Sequence, residues 1–357
     1  YLILAEIPAM APHGRGARKV DVPGALLAAS GLGGPVFALI EQPRLGWGSL
    51  AVLAPLIAGV VLLASFTAYE SRARDPMLPL RLFRRRNFSA GNIETFAMYA
   101  GLAILFFFLV LFLQQIGGYS PLKSGLATLP VTVVMFFLSR RFGALADRFG
   151  PRLLMGIGPL VAAAGLLLFQ NAGLKVDYLS EVLPPLLIFA VGLSMTVAPL
   201  TAAVLQGAER DAGIASGVNN AIARVAGLLG TAAVGAAIAA SFASSIDRRL
   251  SGTSLGGAAR AAVGAAKRLP LGRPNVDGVP AAQAHAVTRA AEAASLHSFH
   301  LGMAIAASLV ALGGVVGLLG IRNARPRGEP GGEEVQAADC PGGQLIGSPG
   351  VASAARG

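Results

Sequence analysis

Eight long apolar runs divide this 357-residue chain, at roughly 22–40, 50–69, 92–114, 122–139, 153–170, 182–205, 213–241 and 299–321. Most approach the ~20 residues that an α-helix needs to cross a bilayer. At that depth the backbone meets no water, so each run must satisfy its own N–H and C=O groups as a helix. Composition agrees. The chain is 54% hydrophobic and only 13% charged, with a mean hydropathy of +0.64, whereas a soluble domain carries about 25% charge. The run at 213–241 is the least apolar, because it holds Asn219, Asn220 and Arg224. The expected fold is therefore all-α and integral to a membrane, with eight transmembrane helices. Residues 1–7 read as the tail of a further span, and the first residue is Tyr1. The expectation is a sequence incomplete at its N-terminus, without the basic n-region of a signal peptide.

Loop charge sets the orientation. Segments 11–21, 71–87, 140–152, 206–212 and 322–327 together carry 17 Lys and Arg, and the alternating segments 41–49, 115–123 and 171–181 carry 3. The basic set is cytoplasmic by the positive-inside rule, which places both ends of the eight-span unit inside. The long segment 242–298 falls outside. Its 7 Lys and Arg count little at that length. Within it, the Ala-rich stretch 281–295 reads as a surface helix and the Gly/Pro-rich stretch 269–280 as mobile. A net charge of +11 taken alone would fit a nucleic-acid partner. The basic residues instead lie between apolar runs, with no aromatic platform among them, so no nucleic acid is expected. The single cysteine, Cys340, lies in the polar tail and has no partner for an internal disulfide.

Residues 140–152 read RRFGALADRFGPR, between two apolar runs. Gly143 removes a side chain where two helices must approach. Pro151 suits the first turn of the following helix, and Asp147 lies near that helix's positive end. Gly143, Asp147, Arg148, Gly150 and Arg152 match the G-x-x-x-D-R-x-G-x-[RK] loop of the major facilitator superfamily, and the chain resembles that family. In the family this loop is cytoplasmic, and it joins the second and third helices of a six-helix half.

Other passages narrow the resemblance. DVPGALL (21–27), DPMLPLRLFRRRNFSAGN (75–92), FLQQIGGYSPLKSGLATLP (112–130), APLTAAVL (198–205) and GIASGVNNAIARVAGLLG (213–230) resemble the fourteen-helix drug:proton antiporters of the EmrB/QacA type. The resemblance implies an end of a truncated helix and a cytoplasmic linker at 1–21, and two extra central helices at 22–70. A basic cytoplasmic loop at 71–91 follows, then a C-terminal six-helix half at 92–321 and a disordered cytoplasmic tail at 322–357. It also implies proton-coupled multidrug efflux by alternating access across the inner or plasma membrane. The implied partners are amphipathic or cationic drugs, protons, the lipid bilayer and a missing N-terminal six-helix half. The alternatives are an exporter of one native metabolite or siderophore, and a non-transporting membrane fragment.

No enzyme, cofactor or metal constellation stands out. His297 and His300 share a helix face and read either as an interfacial polar pair or as a metal or pH-sensing pair. The glycine clusters GLGG (31–34) and GGVVGLLG (313–320) lie inside apolar runs, where close helix packing explains them. Candidates for a substrate or proton pathway are the polar residues at membrane depth, namely Glu94, Asn219, Asn220 and Arg224. Glu94 reads either as functional or as a capping or snorkelling residue near its span's start. Asn220 and Arg224 stack at i,i+4, as a gating pair or as a hydrogen-bonded anchor. Pro130, Pro159 and Pro199 are expected to interrupt helices and line cavities.

The topology is testable by single-cysteine labelling in a Cys340→Ser background. Cysteines placed at 140–152 should react with an impermeant reagent only after the membrane is opened, and those at 255–280 should react in intact cells. The reverse pattern overturns the orientation.

Overall fold

The computed structural model describes residues 21–73, 76, 78–205, 212–269 and 271–323. The helices are α1 (Val22–Leu45), α2 (Leu50–Arg72), α3 (Arg86–Gln115), α4 (Pro121–Phe149), α5 (Pro151–Leu168), α6 (Leu183–Leu205), α7 (Ala212–Leu250), α8 (Gly257–Lys267) and α9 (Ala281–Gly320). All except α8 are long and apolar enough to cross a membrane, which gives the eight spans that hydropathy predicts. No strand occurs among the described residues. Residues 1–20 of the expected linker 1–21, the segment 206–211, and residues 324–357 of the expected tail 322–357, Cys340 among them, lie outside them.

Local chemistry sets several helix starts. The Asp21 carboxylate accepts the Gly24 N–H at 2.9 Å and caps α1. Ser120 Oγ accepts the Lys123 N–H at 3.2 Å, and Pro121 occupies the first turn of α4. Asp177 accepts the Leu179 N–H at 3.2 Å at the start of a single π turn, Tyr178–Val182, that leads into α6. Pro130, Pro159 and Pro199 do not break their helices as expected. Each lies within one continuous helix. In a membrane helix the freed carbonyl can be satisfied by neighbouring helices and small local adjustments.

Glycine sets the packing. α9 lies against both α3 and α5 through close backbone approaches. Val310 fills the space beside Gly101, and Cβ atoms added at Gly313 and Gly320 would lie 2.7 Å from Ala97 Cβ and 2.5 Å from Ala90 Cβ. Toward α5, a Cβ at Gly314 would lie 2.9 Å from Gly156 O. α5 and α6 meet in the same way: a Cβ at Gly192 would lie 2.5 Å from Gly158 O and 2.8 Å from Ala162 Cα. In the α1–α2 hairpin, Gly31 lies against Leu63, and Gly34 lies against Gly59. Lipid offers no hydrophobic drive for helix association, so such close contact is what holds helices together. Larger side chains fill the interior, where the Phe112 and Phe299 rings stack with centroids 4.1 Å apart.

Two helices are much longer than a bilayer requires. α7 has 39 residues and α9 has 40, so each runs for about 60 Å at 1.5 Å per residue, against a hydrocarbon core of about 30 Å. Their extensions, with α8, bury Phe242, Ile246, Leu250, Ala259, Ala266, Val287, Ala290 and Ala294 in a small cluster of their own. Much of the expected loop 242–298 is therefore helical. The stretch expected to be mobile is anchored instead: Leu271 is buried, and Arg273 donates to the Gln115 and Ile116 carbonyls at 2.7 and 3.3 Å. Those carbonyls close α3, where a helix end leaves acceptors free and a cation is favourable.

The glycine packing predicts a contrast. Gly192→Ala should destabilise the protein by about 1–3 kcal/mol through overpacking. Gly33→Ala, where nothing lies within 4 Å, should be neutral or stabilising by up to about 1 kcal/mol. Thermal unfolding in detergent would distinguish them, and equal effects would contradict the packing account.

Candidate functional site

The motif at 143–152 does not form a loop. α4 runs through Phe149 and α5 begins at Pro151, so Gly143, Asp147 and Arg148 lie on the last turns of α4. Only Gly150 separates the helices, with φ of +83°, and its Cα faces the Asn323 side-chain amide. Both the left-handed backbone and the occupied space call for glycine. The expected close approach at Gly143 is an ordinary contact, since an added Cβ would lie 3.7 Å from Ala198 Cβ. Asp147 is exposed and makes no hydrogen bond or ion pair among the described residues. It therefore does not cap α5. Asn323 does so, its Oδ1 accepting the Arg152 N–H at 3.1 Å. Arg148 lies over the Phe149 ring at 5.4 Å.

Arg152 shows what this corner holds together. Its Nε donates to Leu318 O at 2.7 Å, and Arg86 donates to Gly320 O at 2.8 Å and to Leu319 O. Two guanidinium groups thus satisfy three carbonyls at the C-terminus of α9, which would otherwise be unpaired, and their charge suits the negative helix end. Asn87 completes the clamp, accepting from the Arg322 N–H and donating to the Arg322 carbonyl, both at 2.9 Å. Motif reading found Arg152 but missed Arg86, Asn87 and Asn323. Their only sequence signal is polarity at a span end, which is common.

The intramembrane candidates are dispersed. α3 begins at Arg86, so Glu94 lies eight residues inside it, about 12 Å along the axis. It is fully buried, and neither carboxylate oxygen has a hydrogen-bond partner, so the capping and snorkelling reading does not hold. Asn219 accepts from the Thr95 hydroxyl at 2.7 Å and ties α7 to α3. Asn220 and Arg224 are exposed on another face of α7, with Leu228 one turn further. The anchor role that the sequence left open for Arg224 thus belongs to Asn219, and Arg224 makes no hydrogen bond or ion pair among the described residues.

The face of Asn220, Arg224 and Leu228 continues into a cleft of about 1350 Å³ between α1, α3, α7 and the end of α8. Ile40, Phe107, Phe108 and Leu228 contribute apolar walls, Thr231 and Gln115 contribute polar atoms, and Arg268 and Arg273 lie at one end. Beyond the end of α5, Gln170 donates to His300 O at 2.8 Å, and the His300 ring lies 3.0 Å from Ala172 O. His300 thus fastens helix ends together. Among the described residues, no group of three His, Cys, Asp or Glu could hold a metal ion.

Eight helices long and apolar enough to span, packed through small residues, define a multi-pass helical membrane protein. A model of the Major Facilitator Superfamily matches residues 18–231, and the chain belongs to that family. It is similar to the tetracenomycin C resistance and export protein of Streptomyces glaucescens, at 34% identity over 63% of this chain and 42% of that protein. It is also similar to the puromycin resistance protein pur8 of Streptomyces alboniger, at 34% over 60% and 43%. The methylenomycin A resistance protein of Bacillus subtilis is 33% identical over 67% and 50%. The matched region thus covers half or less of these relatives' length.

Removing either arginine of the α9 clamp should cost about 1 kcal/mol. Because Arg86 and Arg152 bind different carbonyls, the double Ala variant should lose roughly the sum. Hydrogen exchange in the last turns of α9 should rise in each variant. Unchanged protection there would show that the clamp carries no energy.

Proposed function

We propose that the chain is the C-terminal portion of a fourteen-helix drug:proton antiporter of the cell membrane, with its C-terminus in the cytoplasm. Substrates would be amphipathic, often cationic drugs, moved by alternating access between two six-helix halves. The observation that carries this reading is the face of α7. Asn220 and Arg224 are exposed at membrane depth, where polar and charged side chains face protein or water, not lipid. A second half enclosing a wet path would give them that environment. In this proposal the α3–α9 unit is one half, the α1–α2 hairpin links it to the other, and Asp147, free on the last turn of α4, engages the partner half during rocking. Relatives named for resistance to tetracenomycin C and puromycin support a small-molecule cargo.

A second reading is an exporter of one native metabolite. Several relatives are named for a single compound, among them the cephamycin export protein of Amycolatopsis lactamdurans.

The test uses the complete protein in inside-out vesicles. Imposing a proton gradient should drive accumulation of a cationic dye, and a protonophore should abolish it. Asp147→Asn and Arg224→Ala should each reduce the rate several-fold at unchanged protein abundance. Residues 1–357 alone should leave drug sensitivity unchanged. Protonophore-resistant uptake would remove the proton coupling, no uptake of any of a panel of drugs would favour the single-metabolite reading, and efflux by 1–357 alone would overturn the two-half architecture.

A further inference from the structure

We propose that Glu94 is a proton-binding site built into the α3–α9 seam, and that its proton controls how tightly α9 closes against α3 and α5. The proposal deepens the transport reading and rests on it.

The seam is a ladder between antiparallel helices. Gly101 faces Val310, Ala97 faces Gly313, Glu94 faces Gly317 and Ala90 faces Gly320. On α3 the steps are four, three and four residues, and on α9 three, four and three, so each rung lies on one continuous stripe. Three rungs are an aliphatic side chain set against glycine. The fourth is a carboxyl. A Cβ added at Gly317 would lie 2.6 Å from Glu94 Oε2 and 2.5 Å from Met155 O. The carboxyl therefore occupies a slot between the backbones of α9 and α5, and both its oxygens are without a partner.

An ionised carboxylate in this fully buried slot has no hydrogen-bond donor among the described residues, a costly state for a buried charge. The neutral acid avoids that cost, and the Met155 carbonyl borders the same slot as an acceptor for its O–H. Among the described residues, no cation is placed to compensate the charge. On α3 itself the nearest basic residue along the helix is Arg86, and on α5 it is Arg152; both donate to the terminal carbonyls of α9. α9 has no titratable residue between His300 and Arg322, and α6 has none at all. On α7, Arg224 is exposed on the open face. Releasing the proton leaves a charge that needs water or a cation, and either demands that the seam loosen. Glu94 is also next to Thr95, which bonds to Asn219 of α7. The proton site and the exposed polar face of α7 thus lie on different sides of α3 and are joined through adjacent residues.

Hydrogen exchange of the complete protein, followed against pH and corrected for intrinsic rates, tests this without a substrate. Protection of α9 around 310–320 should fall as pH rises through the Glu94 titration. Glu94→Gln should hold it high and flat. Glu94→Asp, a smaller change should the glutamine variant not fold, should move the midpoint. An infrared difference spectrum between wild type and Glu94→Gln at neutral pH should show a protonated carboxyl. In vesicles, Glu94→Gln should lose proton-driven accumulation and keep substrate exchange. A wild-type pH profile in both variants, or an absent carboxyl band, overturns the proposal. A normal profile and band with no transport by the wild type overturns the transport reading alone.

Discussion

Backbone must meet backbone in this molecule, because lipid provides no hydrophobic reason for helices to associate. The glycines at 156, 158, 192, 313, 314, 317 and 320 remove the side chains that would hold α5, α6 and α9 apart. Dispersion between closely fitted surfaces then replaces the hydrophobic effect. α9 depends on this most, since it is packed against α3 on one side and α5 on the other. Its glycines alternate between the two: Gly313 and Gly320 face α3, Gly314 faces α5, and Gly317 faces both.

Close packing leaves the helix ends to be settled separately, and arginine does much of that work. Arg86 and Arg152 hold the end of α9, and Arg273 holds the end of α3. Each brings donors to carbonyls that have no intrahelical partner and a positive charge to a negative helix end. These three arginines are therefore structural. Beyond the bilayer, α7 and α9 continue with α8 into an alanine-rich cluster, where water is present and burial of apolar surface again contributes.

The polar groups at membrane depth are sorted by face. Asn219 is used to join two helices, Glu94 is enclosed between three, and Asn220 and Arg224 are left open. A single helix pair, α3 and α7, thus carries an anchor, a buried acid and an exposed polar stripe within a few turns.

Much of the architecture was legible in the sequence. The eight spans follow from runs of apolar residues near twenty long, because an unsatisfied backbone in hydrocarbon excludes anything but a helix. The glycine clusters at 31–34 and 313–320 announced close packing, since phosphate-binding loops cannot form inside a span. The family was legible from the spacing of Gly143, Asp147, Arg148, Gly150 and Arg152. What the sequence could not tell was which neighbour each polar residue meets. Glu94 near the start of an apolar run looks like a capping residue until α3 is seen to begin at Arg86 and α9 to cover it. Asp147 looks like a helix cap until Asn323, 176 positions later, occupies that place. Hydropathy and spacing are local properties that the chain carries along its length, and they determined the spans. Partners are set by how helices distant in sequence are rotated against one another, and only tertiary packing decided those.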